Sequence, residues 1–143
     1  MVWRKGEQYN PVEGIVGQVL GHESYAPKGR YSKMELTRTV FEHLRRMKQV
    51  RLAHDAVDKL EEHLRVTVKA PAERRKEWHT LDWKQLFAAS KDSPRKSMAA
   101  AVFLRLSHWV SGALLKLNRN GKIDFNAAKT HFILKEKPEH WKI

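Results

Sequence analysis

Between residues 74 and 96 the chain carries Arg74, Arg75, Lys76, Lys84, Lys91, Arg95 and Lys96, with Trp78 and Trp83 set among them. Cations at this density suit phosphate oxygens, because each lysine or arginine that neutralises a phosphate releases condensed counterions, and aromatic rings can stack on unpaired bases. The cations read as the functional groups of this stretch, and the tryptophans, at helical spacing, as packing residues. A second set, Arg38, Arg45, Arg46, Lys48 and Arg51, falls on a long helical pattern, with Arg38, Arg45, Lys48 and Arg51 approximately along one face. Glu42 is placed to pair with Arg38 and Arg46, four residues to either side, so this stripe has the competing reading of a solvated helix surface. Arg105, Lys116, Arg119 and Lys122 complete the candidate phosphate-binding set.

The charge is regional. Of a formal net charge of +12, residues 70–123 carry +7, residues 33–69 carry +3, and the flanking segments 1–32 and 124–143 carry +1 each. A basic surface on a 143-residue chain concentrates polyanions and speeds encounter with them, which makes nucleic acid the first partner to expect. The length suits one domain with a real core. With no cysteine, disulfides and thiolate metal or redox sites are excluded, zinc fingers among them. The first ten residues lack an apolar run behind their basic pair, so no secretory signal is expected and the cytoplasm is the expected location. Met98 to Leu117 approaches the roughly 20 residues a membrane span needs. Arg105 at its middle would cost about 2.5–3.5 kcal/mol on insertion scales, so a buried core helix is the better reading and no membrane partner is expected.

Other chemistry finds thin support. The eight histidines, at 22, 43, 54, 63, 79, 108, 131 and 140, form neither a His-Glu-x-x-His nor a Glu-x-x-His pair, so no metal site and no cofactor are expected. Arg38 to His43 and Arg74 to His79 each have an Arg-x4-His spacing that resembles the helical HEPN-type ribonucleases, in which arginine and histidine serve phosphodiester cleavage. Thr39 stands where that family's usual polar residue follows the arginine. Lys116 to Ala127 resembles part of a calcium-binding EF-hand loop, with Gly121, Ile123 and Asp124 in place. Lys116 and Ala127 occupy its first and twelfth positions, where carboxylates are required, so a turn after a helix explains it better. The chain contains no Gly-rich phosphate loop and no nucleophile elbow.

The elements that must position the cations are mostly helical in pattern. Five of the seven glycines, with Pro11 and Pro27, fall in residues 1–32, a spacing expected to interrupt helix, and Trp3, Tyr9, Ile15, Val16, Val19, Leu20, Tyr25 and Tyr31 make it an irregular arm that docks on something. Ser32 with Glu35 has capping-box spacing, opening a long helix toward Val66 along Leu36, Val40, Leu44 and Met47, with a rotation of the stripe between 47 and 53. Pro71 closes it. Residues 72–90 read as one or two short helices burying Trp78, Leu81, Leu86 and Phe87, with Thr80 as a cap. Ser93-Pro94 reads as cap and first turn of the last long helix, whose core face is Val102, Leu106, Trp109, Ala113 and Leu117, with Arg105, His108, Gly112 and Lys116 opposite. Asn120-Gly121 ends it, and Asp124 is placed to cap a short final helix carrying Phe125, Ala128, Phe132 and Ile133.

The expectation is an all-α bundle of four to five helices over residues 33–134, with the arm at 1–32 and a polar tail at 135–143. Its size, charge and closing helix, Phe103-Leu-Arg-Leu-Ser-His-Trp-Val-Ser-Gly-Ala-Leu-Leu-Lys-Leu-Asn-Arg-Asn-Gly-Lys122, resemble the helical small subunits of CRISPR effector complexes. That resemblance implies a non-enzymatic protein that stacks in copies along a crRNA-containing backbone and offers basic faces to a target or non-target strand. The expected partners are nucleic acid, RNA or single-stranded DNA, and other protein subunits. A structural accessory subunit of a ribosomal, virion or respiratory assembly is the competing expectation, and the helical ribonuclease the third.

Overall fold

The computed structural model describes residues 10–22, 25, 29–50, 55–67 and 78–135. The described chain runs α1 (Glu13–Leu20), β1 (Arg30–Ser32), α2 (Lys33–Gln49), α3 (Asp55–Thr67), a 3-10 turn (Trp78–Thr80), α4 (Trp83–Ala88), α5 (Met98–Arg119), β2 (Ile123–Phe125) and β3 (His131–Leu134). It is mostly helical, as the apolar periodicity requires, but the expectation of a purely all-α bundle is corrected by a three-stranded antiparallel sheet of order β1-β3-β2. Arg30 pairs with Ile133 and Ser32 with His131 on one side of β3, while Ile123 pairs with Leu134 and Phe125 with Phe132 on the other.

The final helix expected over Phe125, Ala128, Phe132 and Ile133 is instead the β2–β3 hairpin. Apolar residues at steps of three and four imitate a helix there, yet Asn126 organises a turn. Its Oδ1 accepts from Thr130 N at 2.9 Å and His131 N at 3.1 Å, and Lys129 adopts a positive φ of 56°. Phe132 and Leu134 are buried and alternate with the half-buried His131 and Ile133, the period of two that a one-sided sheet demands.

The irregular arm is the second correction. Residues 13–20 form α1, with Ile15, Val16, Val19 and Leu20 buried in the common core, and residues 30–32 supply an edge strand. A one-sided apolar stripe outweighs the cost of Gly14 and Gly17, about 1 kcal/mol each against alanine. Asn10 fastens the entry by donating from Nδ2 to Trp109 O at 2.7 Å.

Ser32 caps α2 as its spacing predicts, with Oγ accepting from Glu35 N at 3.3 Å. The long helix expected to reach Val66 is two helices: α2 ends at a Val50 cap, close to where the stripe rotates, and α3 starts at Asp55. Its closure at Pro71 lies outside the described residues. The cap of α4 is Asp82 rather than Thr80. Asp82 Oδ1 accepts from Gln85 N, and Gln85 Oε1 accepts from Asp82 N, both at 2.9 Å. Likewise α5 starts at Met98 under Ser97, whose Oγ accepts from Ala100 N at 3.1 Å, and Ser93-Pro94 is a preceding turn. α5 is the central element, packing against α1, α2, α3, α4 and β2. Val102, Leu106, Trp109, Val110, Ala113 and Leu114 are buried along it, which gives its apolar length a core role. Gly121 ends it at φ +74°, where a side chain would be strained.

Candidate nucleic-acid interface

The structure divides the expected cations into those held by neighbours and those left facing water. Arg45 belongs to the first group. Its Nη1 meets Glu42 Oε2 at 3.1 Å, its Nε donates to His79 O at 3.2 Å, and its guanidinium lies 5.6 Å from the centre of the Phe41 ring. It fastens α2 to the 3-10 turn. Lys48 pairs with Glu61 of α3, and the same Glu61 oxygen accepts from the buried Trp78 indole at 3.3 Å. Lys116 meets Glu13 of α1 at 2.8 Å. Arg105 lies 5.9 Å from the centre of the Trp109 ring, and partial burial lowers its pKa from the usual arginine value. Lys122 is half-buried beside the α5 terminus.

Arg38, Arg46, Lys84, Arg95, Lys96 and Arg119 are exposed, and none makes an ion pair among the described residues. They do not form one stripe. At about 100° per residue, Arg38 and Arg46 stand about 80° apart around α2 and about 12 Å apart along it. Arg119 is at the far end of α5. The dense group is Lys84 on α4 with Lys91, Arg95 and Lys96 on the 89–97 connection, all exposed, against Asp82 and Asp92 as the nearby acids. Arg51, Arg74, Arg75 and Lys76 lie outside the described residues.

Beside this group runs an aromatic path from core to surface. The Phe41 ring is 6.5 Å from Trp78 and 6.3 Å from Trp83, and Trp83 in turn is 6.2 Å from Phe103 and 6.4 Å from Phe87. Trp78 is fully buried, as its packing role requires, and Trp83 is half-buried. Phe87 corrects its expected burial: it is 55% exposed, while Leu86 before it is completely enclosed and anchors the helix. Trp83, Leu86 and the following Ala89 turn toward the core, and Phe87, one residue round from Leu86, points out. Reading the segment as 86–89 period rather than as a run of apolar residues would have found it.

The ribonuclease geometry has little to build on. Arg38 and His43 are five residues apart on α2 and so about 140° apart around it. Arg74 lies outside the described residues, and the buried Nδ1 of His79 has no hydrogen-bond partner among them. The described residues hold no group of three His, Asp or Glu side chains suited to a metal ion. The EF-hand-like stretch is the α5 terminus, the Gly121 turn and β2, with Lys116 engaged by Glu13. A shallow depression on the outer face of the sheet is lined by Arg30, Asp124, Asn126, His131 and Ile133, and Lys135 pairs across it with Asp124 at 3.4 Å. No family model, curated protein or solved structure matches the chain.

Proposed function

We propose that this protein is a non-catalytic nucleic-acid-binding subunit of a larger ribonucleoprotein, gripping phosphates without reading bases. The observation that carries the proposal is the exposed group Lys84, Lys91, Arg95 and Lys96, free of ion pairs among the described residues on a short stretch of a chain of net charge +12. Phosphates would take the place that internal carboxylates take at Arg45, Lys48 and Lys116. Arg38, Arg46 and Arg119 would extend the contact, and Arg105 and Lys122 would lie at its margin. The host we propose is a CRISPR effector complex, with the chain as its helical small subunit, in the cytoplasm. The test is binding of the full chain to labelled RNA, single-stranded DNA and duplex DNA over a salt series, beside a Lys84→Ala/Arg95→Ala/Lys96→Ala variant. Loss of three contacts should make the slope of log K against log salt shallower by about 2 for a single strand. Salt-independent binding, or a variant that binds like the parent, would refute the phosphate grip.

A second reading, a structural docking subunit, draws on α5. Leu104 and Leu115 are 37% and 42% exposed and stand 11 residues apart, within about 20° of one another around the helix. A docking face of this kind predicts that Leu104→Asp/Leu115→Asp releases the chain from its assembly without altering its salt-dependent affinity for a free strand.

A further inference from the structure

The phosphate-gripping reading leaves the ring of Phe87 unused. On that reading, we infer that the polymer is single-stranded at this site and that Phe87 is the platform on which one unpaired base stacks. Among the described residues Phe87 is the one phenylalanine, tryptophan or tyrosine whose side chain is exposed. Its backbone is fixed by the Asp82–Gln85 capping box at one end of α4 and by the enclosed Leu86 beside it. Its ring is braced from behind by Trp83 at 6.4 Å, which is itself seated on Phe41 and Phe103. A ring so held gives stacking area with little ordering cost. Lys84 precedes it by three residues on the same short helix, one turn away, and Lys91 follows by four. A strand whose phosphates meet these ammonium groups would bring a base over the ring. In a duplex every base face is already covered by its neighbours, so the ring would have nothing to stack on, while each unpaired base offers a π-face whatever its identity.

The test compares the full chain with Phe87→Ala and Phe87→Leu, binding labelled dT and rU oligomers, a duplex DNA of equal phosphate number, and heparin as a polyanion without bases. Phe87→Ala is expected to weaken single-strand binding roughly 5- to 150-fold, leaving the salt slope and the affinities for duplex and heparin as in the parent. Phe87→Leu should restore little, because it returns apolar area without a π-face. A 5-iodouracil-substituted strand should photocrosslink to the peptide containing Phe87. The dT and rU arms decide which polymer the base belongs to. Equal loss on every ligand, or no loss on any single strand, overturns the stacking inference while the Lys84→Ala/Arg95→Ala/Lys96→Ala variant reports separately on the phosphate grip. A parent chain that binds none of the four ligands overturns both.

Discussion

At the scale of single residues, the same side-chain type does opposite work at Arg45 and Lys84. Arg45 joins Glu42, the His79 carbonyl and the Phe41 ring, so Arg45→Ala is expected to lower stability by about 1–3 kcal/mol in urea unfolding, a loss of packing as well as charge. Lys84→Ala should change stability by less than about 0.5 kcal/mol and register only in polyanion binding. Tyr25 supplies a pH signature. Burial, first of all, raises its pKa above the ordinary tyrosine value, assisted by Glu35 and Tyr31 and opposed by a hydrogen bond with Thr39. The unfolded phenol therefore loses its proton before the folded one does. Stability from this group is intact below about pH 10 and is lost as pH climbs through the unfolded value toward the raised folded one. Alkaline unfolding followed by circular dichroism should show that loss, and Tyr25→Phe should reduce it.

At the scale of elements, caps decide where helices start, and several of them could be read directly. Ser32 with Glu35 was legible because hydroxyl and acid stand at the box spacing and a clean apolar stripe follows. The start of α5 was displaced by four residues because Ser93-Pro94 and Ser97 both satisfy a capping rule, and only the burial of Met98 to Ala101 chooses between them. Ser97→Ala is accordingly expected to cost about 1 kcal/mol in thermal or urea unfolding, and Ser93→Ala close to nothing. The hairpin was illegible for a different reason. Strands of three and four residues carry too few positions to establish a period, and Phe125, Ala128 and Phe132 happen to fit a helix. The candidate cations were legible as a composition, but the spacing that grouped Arg38, Arg45, Lys48 and Arg51 could not reveal that Glu61, on α3, engages Lys48. Among the core positions, Leu106 is fully enclosed in α5, and Leu106→Ala should destabilise by about 2–5 kcal/mol.

At the scale of the whole molecule, the core joins segments far apart in sequence. Asn10 reaches Trp109 across 99 residues, and β1 takes its place in the sheet by pairing with β3. Closing so long a loop costs entropy before any contact rewards it, which slows folding relative to a bundle of local helix pairs. Time is therefore part of this architecture. As the chain leaves a ribosome, Ile15, Val16, Val19 and Leu20 emerge well before α5, which together with α2 covers them. Until α5 emerges, the nascent chain carries an apolar helix with only α2 to lie against. Arrest of translation with α5 still inside the ribosome should leave α1 more open to protease, and arrest before residue 131 should leave residues 30–32 exposed for want of β3.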